Sequence, residues 1–119
     1  MAFRVEIEPG RNRVRITLSG FATIDDVYQM ERDFLSSLSR MPKNGAMYQL
    51  LYDVSEARIQ SQEVVAELHD LCRRSPRVSA CALVNASALA GRQLGRIFEG
   101  LGPTIFNDYG AAVEWLDSR

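Results

Sequence analysis

The chain has 119 residues, of which 46% are hydrophobic and 24% charged, and its formal net charge at pH 7 is −1. This composition is typical of one globular domain, and the near-zero charge excludes a protein drawn to nucleic acid or anionic membranes by its overall field. No apolar run approaches the roughly 20 residues needed to cross a bilayer. The amino-terminal residues alternate apolar and charged side chains, unlike a signal peptide. We therefore predict a cytoplasmic protein with a single domain over residues 1–119.

The first two predicted elements are strands, because apolar residues recur at every second position in both. These positions are Phe3, Val5 and Ile7, and then Val14, Ile16 and Leu18. The turn residues 9–12 between the two strands predict an antiparallel hairpin. Its second face is charged, which indicates a hairpin at the edge of a sheet with one side in water.

Helices and apolar strands alternate through the rest of the chain. A helix is predicted from the N-cap Thr23 to about Ser39, followed by a central strand from about Met47 to Val54. The later predictions are a helix over Ser61–Arg74, a strand over Arg77–Val84, a helix over Ala86–Leu101, a strand over Thr104–Phe106 and a helix over Tyr109–Leu116. Strands separated by helices pair in parallel through right-handed crossovers. The prediction is an α/β fold with a single five-stranded mixed sheet and four helices, in the order ββαβαβαβα.

Polar residues follow the predicted parallel strands. Asp53 and Ser55 come after the central strand, Asn85 and Ser87 come after the next one, and Ser61 begins a helix. Open α/β sheets bind ligands at this rim, where helix N-termini present unpaired N–H groups. The same residue types also cap helices and form Asx turns without any ligand. The sequence therefore gives a candidate rim for a ligand or partner, with capping as the alternative.

No catalytic residue, metal site or cofactor motif is predicted. His69 and Cys72 are neighbours on one helix, as a Cys–His pair requires, but Cys72 continues the apolar face and no third member is apparent. Both Cys72 and Cys81 are better explained as buried thiols. Gly91 and Gly95 lie inside a helical pattern and form, with Ala88, a small-residue face that favours close packing.

The element order, the LLYDVS strand, the short IFND strand and the closing EWL together resemble the SpoIIAA-like branch of the STAS superfamily. That branch consists of small bacterial domains and is also similar to the CRAL-TRIO lipid-binding fold. Anti-sigma-factor antagonists of the STAS type carry an Asp-Ser-Ser-Gly turn in which a serine is phosphorylated. The resemblance aligns that turn with residues 61–64, where Gln62 occupies the phosphoacceptor position. Ser61, one residue away, is either the phosphoacceptor or a plain N-cap.

Two functions follow from these observations. The first is a non-enzymatic STAS-like regulatory or protein-interaction module that lacks the usual phosphoacceptor motif and binds a protein partner at the rim. The alternative, implied by the CRAL-TRIO similarity, is a domain for a small apolar ligand or lipid, with a pocket between the sheet and the helix 86–101, where Gly91 and Gly95 would make room. A carrier needs an unfilled apolar cavity, whereas a partner-binding module needs an exposed apolar patch.

Self-association is a further expectation. If all helices stack on one side of the sheet, the other face needs cover. We expect that face to show Leu51 together with Cys81 and Leu83, an apolar stripe that favours a homodimer.

Overall fold

The structure, a computed structural model, describes residues 2–41, 47–74, 78–85, 88–98 and 101–119. In these residues the chain forms five strands and four α-helices in the predicted order. The strands are β1 (Phe3–Glu8), β2 (Arg13–Gly20), β3 (Tyr48–Ala57), β4 (Val78–Val84) and β5 (Thr104–Phe106). The helices are α1 (Ile24–Ser39), α2 (Gln62–Arg73), α3 (Ala88–Phe98) and α4 (Tyr109–Asp117).

All five strands belong to one sheet with the order β1-β2-β3-β4-β5. β1 pairs antiparallel with β2, and each later strand pairs in parallel with the strand before it. The predicted five-stranded mixed sheet is confirmed. The hairpin prediction is wrong in one respect: only β1 lies at the edge, because β2 also pairs with β3.

Several boundaries differ from those expected. β3 continues to Ala57, three residues beyond the predicted end at Val54, because the polar segment after Asp53 remains paired with β2. α3 is described over Ala88–Phe98, and residues 99 and 100 of its predicted end lie outside the described residues. Ala86 and Arg77, the predicted first residues of α3 and β4, lie outside the described residues, as does Ser87.

Side-chain caps begin three of the helices. Thr23 and Asp26 form a reciprocal capping box at α1, with N–O distances of 3.2 Å to the Thr23 hydroxyl and 2.9 Å to the Asp26 carboxylate. Ser61 caps α2, and Asp108 caps α4 by accepting a hydrogen bond from the Ala111 N–H at 2.9 Å. These contacts satisfy N–H groups that a helix leaves without partners in its first turn.

The main core lies on the face of the sheet that α1, α2 and α3 cover. Register places Leu50 opposite Cys81 and Tyr52 opposite Leu83, and all four side chains are buried in this core. Phe98 of α3 packs against Tyr52 with ring centroids 4.3 Å apart. Cys81 and Leu83 therefore face the helices and do not form part of an uncovered stripe.

The opposite face is covered by α4, so the expected bare apolar face is absent there. Leu51 pairs with Ala82, and both are buried with Val84 beneath Ala112 and Leu116 of α4. The prediction that Leu51 shares a face with Cys81 and Leu83 is wrong, because side chains alternate between faces and these positions differ by one residue in register.

Arg13 fastens α4 to the charged face of the hairpin. Its side chain is only 1% exposed. Its Nη2 donates to the Asp117 carboxylate at 2.6 Å, and its Nε donates to the Gln49 side-chain oxygen at 3.1 Å. Gln49 in turn donates to the carbonyl of Leu116 at 3.0 Å. The expectation that this face lies in water is therefore wrong at Arg13, where polar groups hold a helix in place.

Candidate functional site

The loop between β3 and α2 is held by a buried glutamine. The Gln60 side-chain oxygen accepts a hydrogen bond from the Ala22 N–H at 2.8 Å, and its amide nitrogen donates to the carbonyls of Gly20 at 2.9 Å and Arg58 at 2.6 Å. This one side chain ties the end of β2 to the loop. Because buried polar groups are costly when unpaired, the arrangement fixes the local backbone.

A second glutamine connects the same loop to α3. The Gln93 side chain accepts from the Gln60 N–H at 2.7 Å and donates to the Gln60 carbonyl at 2.9 Å. The loop is therefore anchored to β2 and α3 before α2 begins. Sequence reasoning missed both glutamines, because neither belongs to a periodic pattern or a recognised motif.

Apolar side chains stand exposed on this anchored loop and beside it. Phe21, just after β2, is 65% exposed, and Ile59, just after β3, is 50% exposed. The Arg58 guanidinium carbon lies 5.9 Å from the centroid of the Phe21 ring, within the range of a cation–π contact. We call Phe21, Arg58 and Ile59 the apical patch. A hydrogen bond from the Arg58 N–H to the Gly20 carbonyl, at 3.1 Å, joins the two chain segments that form the patch.

Ser61 follows the apical patch directly along the chain. Its residue surface is exposed, and its hydroxyl accepts a hydrogen bond from the Val64 N–H at 3.2 Å as the N-cap of α2. Gln62, the residue aligned with the family's phosphoacceptor, is exposed on the first turn. A phosphate on Ser61 would therefore lie at a helix N-terminus, where the dipole stabilises negative charge.

A groove between α2 and α3 begins next to Gln62. It is half-open, has a volume of about 410 Å³, and is lined by Gln62, Val65, Arg92, Gln93 and Arg96. Four of these five side chains are polar or charged. Most of the surface that these described residues expose to the groove is nevertheless apolar.

Asp53 and Ser55 form a separate pair. Asp53 lies inside β3 opposite Val84, and its carboxylate accepts from the Ser55 hydroxyl at 2.7 Å and from the Ser55 N–H at 3.1 Å. Asp53 has the same strand parity as Leu51, so it belongs to the face that α4 covers. Asn85 follows β4 and donates its N–H to the Phe106 carbonyl at 2.9 Å. Ser61 caps α2, which covers the opposite face of the sheet from α4.

Asp53 also lines a shallow depression beside α4. The depression has a volume of about 460 Å³ and is lined by Arg4, Glu6, Arg15, Thr17, Asp53 and Tyr109. Arg15 donates to the Tyr109 hydroxyl at 2.7 Å and to Glu6 at 2.9 Å, and the hydrogen bond to Tyr109 is the main cause that raises the pKa of Arg15. Arg15 and Glu6 therefore neutralise each other within the depression.

The two thiols are poor nucleophiles. Cys72 and Cys81 are buried, and burial raises the pKa of each thiol to about 12. At neutral pH both are therefore protonated, whereas nucleophilic chemistry requires the thiolate. Among the residues that the structure describes, no three His, Cys, Asp or Glu side chains form a group able to hold a metal ion. None of the described helices is long and apolar enough to span a membrane.

Solved structures with the same architecture identify the fold. The chain is similar to an uncharacterised DUF3478-family protein from Shewanella loihica, with a TM-score of 0.70, 20% identity, and coverage of 97% of this chain and 92% of that one. It is also similar to SpoIIAA, an anti-sigma factor antagonist, in its unphosphorylated form, with a TM-score of 0.70, 17% identity, and coverage of 99% and 100%. The chain has a SpoIIAA-like fold. An anti-sigma factor antagonist from Mycobacterium paratuberculosis aligns with a TM-score of 0.67 and 12% identity over 97% and 92% of the two chains.

These similarities confirm the resemblance predicted from the sequence, and at such identities they establish the SpoIIAA-like fold alone. No family model and no curated protein sequence matches the chain.

Proposed function

We propose that the protein is a non-enzymatic, STAS-like regulatory module that binds a protein partner through the apical patch. The exposed pair Phe21 and Ile59 carries this proposal, because large apolar side chains held in water are stabilised when a partner covers them. The buried Gln60 supports it further. A loop that is already ordered loses little conformational entropy on binding, so more of the contact energy appears as affinity.

The environment of the candidate nucleophile supports a role without catalysis. The Cys72 thiol, with its pKa raised to about 12 by burial, lacks the reactivity that a Cys–His pair needs. Ser61, which is exposed, accepts a hydrogen bond from a main-chain N–H through its hydroxyl and thereby serves as a cap. In the part of the chain that the structure describes, this hydroxyl makes no hydrogen bond to a base that could activate it as a nucleophile.

The fold relatives support a regulatory partner. Two of the similar structures are anti-sigma factor antagonists, and one of them is described in its unphosphorylated form. By extension we propose that the partner of this chain is a regulatory protein and that Ser61 is the residue at which phosphate would control binding. The new charge would lie at the N-terminus of α2, two residues after the exposed Ile59, which changes the surface that the partner meets.

The apolar-ligand alternative has less support. The space between the sheet and α3 is occupied where Ile97 and Phe98 are buried and Phe98 packs on Tyr52. A Cβ added at Gly95 would meet no atom within 4 Å, so this glycine does not serve close packing against the sheet. The surroundings of Gly91 lie outside the described residues.

Affinity capture from the cells that produce the protein tests the proposal. Three tagged baits are compared: the natural chain, Ile59→Arg, and Leu35→Arg. Leu35 lies on α1 and is 58% exposed, so its substitution adds the same charge at a similarly exposed apolar site away from the apical patch. We expect one protein to be captured by the natural chain and by Leu35→Arg and lost with Ile59→Arg. Equal capture by all three baits would contradict the assignment of the patch.

A further inference from the structure

Among the described residues β1 has no strand on its outer side, so the main-chain groups that face this edge can be assigned. β1 pairs antiparallel with β2 from Phe3 opposite Leu18 to Glu8 opposite Arg13, and the Ser19 N–H donates to the Ala2 carbonyl at 2.8 Å. Hydrogen-bonded pairs alternate along an antiparallel ladder. The main-chain groups of Ala2 and of every second residue after it therefore point toward β2.

The N–H and C=O groups of Phe3, Val5 and Ile7 consequently point away from β2, toward the outer edge. The same three residues carry the apolar side chains of the strand. Phe3 is buried, whereas Val5 and Ile7 are only partly covered where they pack against the main core. An open groove of about 390 Å³ runs beside this edge, lined by Phe3, Arg4, Val5 and Asp33 of α1. The edge is therefore reachable by another strand.

The opposite face of β1 carries charges in an order that is complementary to itself. Arg4 is exposed, and Glu6 has a side chain that is 40% exposed. In an antiparallel pair of two β1 strands centred on Val5, Arg4 of each copy lies directly across from Glu6 of the other. Opposite charges in directly opposed positions stabilise an antiparallel pair, and like charges destabilise it.

We propose that a second copy of this chain binds at the β1 edge, antiparallel and centred on Val5, so that two sheets join into one across a twofold axis. In this register Val5 lies opposite Val5, and Phe3 lies opposite Ile7 in both directions. Each outward N–H and C=O group of Phe3, Val5 and Ile7 then has a partner in the other copy. The three opposed pairs form two hydrogen bonds each. The joined sheet carries the side chains of Phe3, Val5 and Ile7 of both copies on the same face. There each strand covers apolar side chains of the other copy that are partly exposed.

Neighbouring registers are disfavoured by the same charges. Centring the pair on Arg4 places that residue against itself. Centring it on Glu6 brings Arg4 across from Glu8, but it opposes the two Glu6 carboxylates and leaves Phe3 opposite Pro9, outside the strand. Charged side chains on an edge strand usually prevent pairing with other chains. Here their order leaves one self-pairing register in which each Arg4 lies across from Glu6, a carboxylate that Arg15 of its own chain already contacts at 2.9 Å. An isologous contact of this kind closes as a dimer and does not propagate into a fibre.

Amide hydrogen exchange measured by NMR, together with sedimentation, tests this dimer on the natural chain. Sedimentation is followed over protein concentrations from about 1 μM to about 1 mM, which brackets weak and moderate dissociation constants. We expect a monomer–dimer equilibrium in which the amides of Phe3, Val5 and Ile7 become protected as the dimer forms. The amides of Arg4 and Glu6 already donate to β2 and serve as internal controls whose protection changes little.

Two sets of variants separate edge pairing from a loss of folding. Val5→Pro removes an outward N–H without touching the ladder to β2, a position at which edge strands tolerate proline. Arg4→Glu and Glu6→Arg should each dimerise at least about tenfold more weakly alone, and a mixture of the two should associate, because each charge then meets its opposite. Circular dichroism confirms that each variant is folded.

Three results would overturn the proposal: a monomer throughout the concentration range, a dimer in which Phe3, Val5 and Ile7 exchange as fast as in the monomer, or a folded Val5→Pro variant that dimerises as tightly as the natural chain. The second result would place the contact on another surface.

Discussion

Replacing Gln60 by methionine should destabilise the protein more than its position in a loop suggests. The substitution keeps the length of the side chain and removes the hydrogen bonds to the Ala22 N–H and to the carbonyls of Gly20 and Arg58. At about 1 kcal/mol for each of these contacts, the free energy of unfolding should fall by about 3 kcal/mol. Stability falls because the Ala22 N–H and the carbonyls of Gly20 and Arg58 keep their positions but lose the side chain that bonds them.

Gln62→Met is the matched control for this prediction. Gln62 is the same residue type two positions later, and it is exposed, so its replacement should change the free energy of unfolding by less than about 0.5 kcal/mol. Equilibrium unfolding in urea, followed by circular dichroism, measures both variants against the natural chain. If Gln60→Met and Gln62→Met unfold at the same urea concentration, the claim that Gln60 anchors the loop is refuted.

Further predictions concern the α4 contact, the cap of α2 and the thiols. The hydrogen bond from Arg13, followed by other contacts that include Arg11, lowers the pKa of the Asp117 carboxyl from its ordinary value of 3.8. A carboxyl with a lowered pKa stabilises the fold above its unfolded pKa and loses that contribution as pH falls, so Asp117→Asn should flatten the decline in stability below about pH 4. An unchanged pH profile would contradict this contact. Ser61→Ala should lower the free energy of unfolding by about 1 kcal/mol through loss of the N-cap. A stability in urea equal to that of the natural chain would show that the hydroxyl does not cap. Cys72 and Cys81 should react with a thiol reagent at pH 7 only after unfolding, because both are buried and protonated. Rapid labelling of the folded chain would contradict their burial.

The strands and helices were predictable where one face of an element is apolar throughout. The alternation in β1 and β2 and the helical spacing in α1 and α2 reflect burial on a single face, which the residue pattern records directly. The caps Thr23 and Ser61 were predictable for a similar reason, since a hydroxyl before a helix satisfies a local N–H group.

The position of α4 could not be predicted, because nothing in a single sequence states which side of the sheet the last helix covers. Arg13 illustrates the difficulty. It alternates with apolar residues as an exposed side chain would, yet it is buried by Asp117, a residue more than one hundred positions away. Leu51 was assigned to the wrong group for a related reason, since strand register is a long-range property and one residue of shift exchanges the two faces.

The candidate site was predictable in part. Ser61 lies where the sequence placed it, at the start of α2, whereas Asp53 and Ser55 form a separate pair inside β3. The apical patch was not predicted, because Phe21 and Ile59 resemble core residues by type and only their surroundings reveal exposure. Gln60 and Gln93 carry no sequence signal, since their role depends on main-chain groups brought together by folding.

Site-specific photocrosslinking in the cells that make the protein tests the central claim most directly. A photoreactive amino acid is introduced at position 59 in one chain and at position 35 in another, two exposed apolar sites on different surfaces. We predict that position 59 yields a covalent adduct with one protein of defined mass and that position 35 does not. Adducts of equal yield at both positions, or an adduct at position 35 alone, would contradict binding of a partner at the apical patch.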